Sequence, residues 1–284
     1  MKEITIKAPA KINLFLDITG TANDGYHTLD TIMQSIDLCD KVTIKKTDTA
    51  DIKVNCSKGF VPINGENIAY KAAKAFLDYA NITRTGFDIY IEKNIPMQAG
   101  LAGGSADAAA VIKSLDTMFD TGFSVEKLCD IGEKIGADVP FCIVGGCMLA
   151  QGKGEIFTPQ KAIANCFVVV AKPNVGVDTK KAFKIYDDMA EKVVHPDLSE
   201  MLKALDSRSL ACIGKNMANV FEQTSCLPQV DKINKAFVRN GALGSVMTGT
   251  GSAVTGLFAD EEKAVLCAEK IAHLSEEVYV TRPV

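Results

Sequence analysis

The sequence lacks the residue spacings that build structural metal sites and disulfide frameworks. It has only three histidines. Its nine cysteines cannot all pair, because their number is odd, and none of them form a Cys-x-x-Cys pair. Zinc sites and disulfide-rich folds require closely spaced or paired ligands, so neither is expected here. Most of the cysteines lie in apolar stretches such as 166–171, which is typical of small core residues in a reducing compartment.

Long hydrophobic runs and an excess of positive charge are missing as well. The longest apolar run, Cys166 to Ala171, is far shorter than the roughly 20 residues that span a bilayer. The first six residues contain no apolar block of the kind that signal peptides have. The net charge is −4 and the cations are scattered along the chain, which does not favour nucleic acid or an anionic membrane as a partner. We therefore expect a cytoplasmic protein with neither partner.

Two familiar nucleotide-binding motifs are also absent. A Walker loop has Ser or Thr after its Gly-Lys pair, whereas Lys153 is followed by Gly154. A dinucleotide fingerprint has a third glycine at its sixth place, which is Ser105 when counted from Gly100 and Val254 when counted from Gly249. A phosphate site in this chain must therefore be of another kind.

A glycine-rich segment, 96–107, stands between an alternating strand pattern at 87–92 and an alanine-rich helix pattern that begins near Ser105. Glycines let the backbone approach a ligand, and the first turn of a helix points unpaired N–H groups at it. A tight strand-to-helix turn is the simpler alternative. Three glycines within five residues, followed by Ser105 as an N-cap or a metal-facing hydroxyl, exceed what such a turn requires. The segment predicts a phosphate site.

The hydrophobic periodicity predicts a mixed α and β chain of two domains. Strand patterns lie at about 3–7, 12–18, 41–46, 51–55, 87–92, 166–171, 243–248, 253–259 and 277–281, and helical patterns at about 67–80, 105–119, 124–135, 179–190, 216–223, 228–240 and 261–273. Because strands and helices do not alternate strictly, an α+β fold is favoured over a doubly wound parallel sheet. We predict the domains to be residues 1–160 and 161–284.

Polar residues interrupt apolar patterns at several further places, and each has two interpretations. Lys11 and Asn13 share one face of a strand, which either meets water or provides each with a partner. Tyr26 and His27 follow a turn and either stack a planar ligand or belong to an ordinary surface loop. Asp138 lies between apolar segments and is either a helix N-cap or a functional acid.

A second glycine cluster, Thr248 to Ser252, separates two apolar strand patterns. Glycine-containing turns join strands routinely, so a hairpin is the simple interpretation. Because all five residues are small, this turn is also able to lie against the first glycine-rich segment and shape the phosphate site.

Together, the segments 9–14, 96–107 and 248–256 resemble the three motifs of the GHMP kinase superfamily, and the resemblance extends over essentially the whole chain. Within that superfamily, residues 9–14, 24–27 and 136–141 resemble the branch that phosphorylates the 2-hydroxyl of a cytidine-diphosphate-linked methylerythritol in the non-mevalonate isoprenoid route. The resemblance implies an N-terminal domain like ribosomal protein S5 domain 2 and a C-terminal ferredoxin-like domain. It also implies ATP as phosphoryl donor, Mg²⁺, a small-molecule substrate, and a monomer or weak homodimer.

The same resemblance implies roles for individual residues. Asp138 is the implied catalytic acid/base residue and Lys11 its charged companion. The residues implied to hold the cytidine part of the substrate are Asn13, Tyr26, His27, Thr179 and Phe183. Those implied to bind ATP are Asn67, Lys93, Pro96, Met97, Gly100, Leu101, Ala102, Gly103, Gly104 and Ser105, with the Ser105 hydroxyl nearest the metal.

Two residues depart from the usual family loop, which is richer in glycine and serine. Ala102 adds only a methyl group, so the phosphate cradle survives if the backbone dihedrals of Ala102 are ordinary. Ala106 removes a possible hydroxyl ligand.

Two rival functions stay open: a related kinase for homoserine, mevalonate or a sugar, and a non-catalytic ligand-binding protein on the same scaffold. Competition by CDP distinguishes the first rival, and a phosphoryl-transfer assay distinguishes the second.

Overall fold

The structure, a computed structural model, describes residues 1–59 and 65–284. The strands are β1 (Glu3–Thr21), β2 (His27–Thr47), β3 (Ile52–Cys56), β4 (Gly86–Glu92), β5 (Cys147–Gln151), β6 (Ile156–Pro159), β7 (Phe167–Lys172), β8 (Ala218–Asn219), β9 (Gly244–Met247), β10 (Val254–Phe258) and β11 (Glu277–Thr281). The helices are α1 (Ile68–Tyr79), α2 (Gly103–Phe119), α3 (Val125–Glu133), α4 (Val139–Val144), α5 (Thr179–Met189), α6 (Leu198–Ser207), α7 (Leu210–Asn216), α8 (Phe221–Thr224), α9 (Pro228–Arg239) and α10 (Glu261–Ile271). Across these ranges, no helix is both long and apolar enough to cross a bilayer.

The chain divides into two compact units, and neither is a single continuous segment. The first unit contains residues 1–10, 38–95 and 102–145, and the second contains residues 11–37, 96–101 and 146–284. The long strands β1 and β2 therefore contribute residues to both units. The domain boundary near residue 160 stays a prediction.

The first unit combines a sheet with helices α1 to α4. Residues 41–47 of β2 pair antiparallel with β4, and β4 pairs parallel with β3. In β4 the side chains of Phe87, Ile89 and Ile91 are buried, in agreement with their spacing of two residues. Helix α2 packs against α1 and α4 and has ten buried residues over its 17 positions, which explains its apolar, alanine-rich sequence.

The second unit contains an antiparallel four-stranded sheet in the order β11, β7, β10, β9. Every residue of the central strand β10 is buried, as expected for a strand with neighbours on both edges and cover on both faces. In the same unit, β8 pairs with Phe15 and Leu16 of β1, and β5 pairs with residues 31–34 of β2. The predicted mixture of strands and helices without strict alternation is confirmed.

Several predicted elements differ from those observed. The predicted helix over 216–223 is wrong, because α7 ends at Asn216 and α8 begins only at Phe221. Between them, Ala218 and Asn219 pair with β1, and this pairing overrides the helical pattern. Helix α6, the hairpin of β5 and β6, and the first half of β2 were not predicted from the sequence. The pattern of α6 was overlooked, because Leu198, Met201 and Leu205 have the spacing of a helix face.

Candidate active site

Lys11 and Asn13 lie on the part of β1 that belongs to the second unit, and both are buried, at 3% and 2% exposure. The Lys11 ammonium donates a hydrogen bond to Asn13 Oδ1 at 2.7 Å. The Asn13 amide nitrogen donates to Thr31 Oγ1 at 2.8 Å. The interpretation in which this face of β1 meets water is therefore wrong. A buried ammonium needs such a partner because isolated charges are costly to bury.

The turn between β9 and β10 lies against the first part of the glycine-rich segment, as the small residues of the second glycine cluster allowed. Thr248 Oγ1 is 3.2 Å from Gly100 O and 3.1 Å from Asn13 Oδ1. The Ala253 N–H donates to Ala99 O at 3.2 Å. Gly100 has a φ of +75°, and a Cβ there would lie 2.0 Å from Thr248 O, so this close approach requires glycine.

Helix α2 begins at Gly103, and its N-cap residue Ala102 has a left-handed backbone, with φ 56° and ψ 29°, and no side-chain cap. Ser105 is therefore not the N-cap, because the helix starts two residues before it. The expectation of ordinary dihedrals at Ala102 is also wrong. The first turn, which contains Gly103, Gly104 and Ser105, presents N–H groups that no capping side chain occupies. Such a helix start suits a phosphate oxygen.

The buried ammonium of Lys93 lies between two carboxylates in the first unit. It donates to Asp40 Oδ2 and, at 2.8 Å, to Asp107 Oδ2. Burial lowers the pKa of Lys93, but the charges of Asp107 and Asp40 outweigh it, so the pKa lies above its usual value. Burial raises the pKa of Asp107 to about 8, although Lys93 opposes the shift. A Cβ on Gly103 would lie 3.3 Å from the Lys93 ammonium, so this ion cluster adjoins the start of α2.

Asn67 is buried and caps α1, because its Oδ1 accepts a hydrogen bond from Ala69 N at 2.8 Å. Pro96 is buried, and Met97 is half-buried. Leu101 contributes a carbonyl that accepts the Lys11 N–H at 3.2 Å. The ATP-binding roles implied for these residues and for Lys93 stay predictions.

Asp138 occupies the N-cap position of α4 in the first unit, but its side chain makes no capping hydrogen bond. Its backbone has φ −84° and ψ −9°, whereas a capping residue usually has an extended backbone. The side chain is half-buried. The side chain of Asp138 therefore does not cap α4, and its implied catalytic role stays a prediction.

Aromatic side chains of the second unit meet where the resemblance implies a cytidine site. The rings of His27 and Phe183 are stacked, with centroids 4.8 Å apart, and His27 Nε2 is 2.7 Å from Asp187 Oδ1. Tyr26 is 66% exposed, and the Lys153 ammonium lies 5.1 Å from the centre of its ring. The sequence placed His27 on the preceding loop, whereas it is the first residue of β2.

Thr179 is the first residue of α5 and is exposed, with its Oγ1 3.3 Å from Thr250 Oγ1. The cytidine-side roles implied for Thr179, Asn13 and the aromatic residues stay predictions. The sequence did not identify Thr31, Asp40 or Asp187 as partners of these residues. The only available signal was a polar residue inside an apolar strand, as at Asp40, and such a signal does not specify the partner.

Comparisons with known proteins give the same family over both parts of the chain. The GHMP kinases N terminal domain matches residues 67–146, and the GHMP kinases C terminal domain matches residues 201–275. A 4-diphosphocytidyl-2-C-methyl-D-erythritol kinase of Clostridium botulinum is 43% identical over 98% of this chain and 99% of its own length. The Clostridium beijerinckii kinase of the same name is 41% identical over 98% of this chain and 99% of its own length.

Solved structures agree with the sequence relatives. A crystal structure of 4-(cytidine 5'-diphospho)-2C-methyl-D-erythritol kinase superimposes with a TM-score of 0.81 at 27% identity, covering 98% of each chain. Homoserine kinase from Cytophaga hutchinsonii has a TM-score of 0.78 at 20% identity, with 100% and 95% coverage, and shows the fold alone. The expected α+β fold with GHMP kinase N- and C-terminal domains is thereby confirmed. The chain belongs to the 4-diphosphocytidyl-2-C-methyl-D-erythritol kinase family of the GHMP kinases.

Proposed function

We propose that this chain transfers the γ-phosphoryl group of ATP to the 2-hydroxyl of 4-diphosphocytidyl-2-C-methyl-D-erythritol. The names of its full-length relatives support this substrate. The structural observation that carries the proposal is the stack of His27 on Phe183. Aromatic faces suit a planar base such as cytosine, whereas homoserine, mevalonate and sugars offer no base to stack.

The phosphates of ATP lie, in this proposal, against the glycine-rich segment. Gly103, Gly104 and Ser105 supply backbone N–H groups from the uncapped first turn of α2. Within the second unit, the left-handed Gly100 brings its backbone close to that of Thr248. Phosphoryl transfer depends mainly on positioning and charge neutralisation, because the transition state spreads its charge over the phosphoryl oxygens. Fixed backbone donors meet both needs.

Asp138 is the proposed general base. An aspartate, with a reference pKa of about 3.9, is a weak base for an alcohol. We therefore assign it to orienting the 2-hydroxyl and accepting its proton late, as the new O–P bond forms. Lys11 carries the fixed positive charge that the reaction requires, with Asn13 holding its ammonium.

Mg²⁺ is the metal expected to accompany ATP. In residues 1–59 and 65–284, no group of three or more His, Cys, Asp or Glu side chains is able to hold a metal ion. Mg²⁺ typically takes substrate phosphates, waters and one or two protein ligands, so this sparse donor set fits a metal that arrives with the nucleotide. Ser105 is the proposed protein ligand, and the metal would neutralise phosphate charge there.

The remaining expectations belong to the same proposal. A kinase for a small diphosphocytidyl alcohol needs neither nucleic acid nor a membrane, and we propose that it works in the cytoplasm as a monomer or weak homodimer. The proposed domain boundary is near residue 160. The ligand residues are the ones implied by the resemblance, with Thr179 and Tyr26 on the cytidine side and Asn67 and Lys93 on the nucleotide side.

³¹P NMR of the purified protein with MgATP and 4-diphosphocytidyl-2-C-methyl-D-erythritol tests the proposal directly. The expected result is a new phosphomonoester resonance that grows together with the signals of ADP. Parallel samples with homoserine, mevalonate and galactose test the rival kinases, and Asp138→Asn supplies the inactive control. Transfer to one of the other alcohols, or no transfer by folded protein that binds ATP, would overturn the substrate assignment.

A further inference from the structure

Asn219 lies outside the three motif segments, but its side chain holds the turn between β9 and β10. It lies on β8, is 5% exposed, and its amide nitrogen donates to Met247 O at 2.7 Å and to Gly249 O at 2.8 Å. Its Oδ1 accepts the Phe221 N–H at 3.0 Å. Both amide hydrogens and the amide oxygen are thus used, and all four residues belong to the second unit.

Two other side chains hold the remaining backbone groups of the same two turn residues. Glu222 Oε1 accepts the Met247 N–H at 2.8 Å, and Asn13 Oδ1 accepts the Gly249 N–H at 2.9 Å. The N–H and the C=O of both Met247 and Gly249 are therefore held by side chains. A hairpin turn alone needs no such frame, since glycine-containing turns close routinely through their own backbone bonds.

This frame fixes the residue between them, Thr248, whose contacts reach the proposed active site. Thr248 Oγ1 is 3.2 Å from Gly100 O and 3.1 Å from Asn13 Oδ1, and Asn13 accepts the Lys11 ammonium at 2.7 Å. A shift of the turn would therefore displace both the Gly100 carbonyl and the acceptor of Lys11. Displacements of about 1 Å in positioning groups are sufficient to cost a reaction about a hundredfold in rate.

We infer that Asn219 is a positioning residue for phosphoryl transfer, which acts by clamping the 247–249 turn against Gly100 and Asn13. The inference rests on the proposed function of Lys11 and the glycine-rich segment. Asn219 itself touches no reacting group in this scheme. Its effect on the reaction is transmitted through hydrogen bonds to the turn, all of them buried, where a lost donor leaves carbonyls without a partner.

Asn219→Asp is the sharpest variant, because it preserves size and the acceptor for Phe221 N–H while removing the amide that serves both carbonyls. Thr255→Val is the matched control: Thr255 is buried in the adjoining strand β10, and its hydroxyl donates to Val246 O at 3.1 Å and not to the backbone of residues 247–249. We expect kcat to fall at least about tenfold in N219D, with T255V near the wild-type value at equal folded fraction. Amide hydrogen exchange at Gly249 should accelerate only in N219D.

Equal kcat and equal Gly249 exchange in N219D and T255V would overturn the positioning role. If N219D does not fold, Asn219→Ser, which keeps one hydroxyl donor, is judged by the same two comparisons. The outcome for the proposed function is separate. If wild-type protein phosphorylates the diphosphocytidyl substrate while N219D matches T255V, only the inference fails. If wild-type protein does not phosphorylate it, the proposed function fails, and Gly249 exchange still decides whether Asn219 clamps the turn.

Discussion

The rings of His27 and Phe183 are stacked on each other, with centroids 4.8 Å apart and an angle of 29° between their planes. A base held between two rings needs about 7 Å between them, twice the usual contact distance of about 3.5 Å between carbon atoms. In the proposed function, cytosine would therefore stack on an outer face of this pair or separate the two rings. In both arrangements Phe183 would supply binding area that ATP does not use.

Phe183→Ala should therefore weaken binding of the cytidine substrate selectively. Base–aromatic stacking contributes about 1–3 kcal/mol, so we expect KM for 4-diphosphocytidyl-2-C-methyl-D-erythritol to rise between about fivefold and about 150-fold. KM for ATP should not change. Steady-state kinetics with each substrate varied in turn measures both constants. Ile185→Ala, exposed on the same helix, is the control, and an equal rise in both variants would contradict a stacking role.

Asp138→Asn should remove catalysis without loosening the fold. The amide cannot accept the hydroxyl proton, so kcat should fall at least about a hundredfold, the scale of a positioned acid or base. Since Asp138 makes no capping hydrogen bond, Tm should stay close to that of the wild type. Kinetics together with thermal unfolding tests both parts, with the exposed Glu133 changed to Gln as control. A variant with near-normal kcat would remove Asp138 from the catalytic role.

The secondary structure of the segments in the proposed site was predicted well, because each segment has a local sequence signature. Periodicity gave α2 and β4, and the glycines gave the turns at Gly100 and Gly249. The sequence did not predict which residues distant in the chain form contacts. The contacts of Asn13 with Thr248 and of Lys93 with Asp40 join residues far apart in the chain, and no spacing rule specifies which polar residues meet. The uncapped start of α2 was also missed, because alanine rarely adopts a left-handed backbone.

Ala102→Gly should stabilise the protein. A left-handed backbone costs an L-residue about 1–2 kcal/mol, and glycine removes this strain. Part of the gain in stability is lost, because glycine increases the conformational entropy of the unfolded chain. The expected net gain is about 0.5–1 kcal/mol, or about 1–4 °C in Tm. Ala106→Gly is the matched control. Ala106 is buried inside α2, so glycine there should lower the free energy of unfolding by about 1 kcal/mol. If both substitutions destabilise the chain, the strain at Ala102 is not real.

Glu222→Gln should make the stability of the protein less dependent on pH. Burial raises the pKa of Glu222 above its ordinary value, against the opposing hydrogen bonds from Asn234 and the Met247 N–H. The folded state therefore keeps this proton to higher pH than the unfolded state does. The contribution of Glu222 to stability is thus greatest below the ordinary pKa and is lost as pH rises through the higher, folded value. Glutamine, which is always neutral, still offers Oε1 to both donors.

The free energy of unfolding of E222Q should therefore increase relative to that of the wild type as pH rises from about 4, near the ordinary pKa, through the higher pKa of the folded state. Urea titrations at intervals across this range measure the difference directly, so that titration of all other groups cancels. Glu269→Gln, an exposed glutamate on α10, removes the same charge without the burial and should show no such trend. A constant difference between E222Q and wild type would mean that the folded and unfolded states share one pKa at Glu222. Retention of kcat in E222Q is also expected, because the Met247 N–H keeps its acceptor and the 247–249 turn keeps its frame.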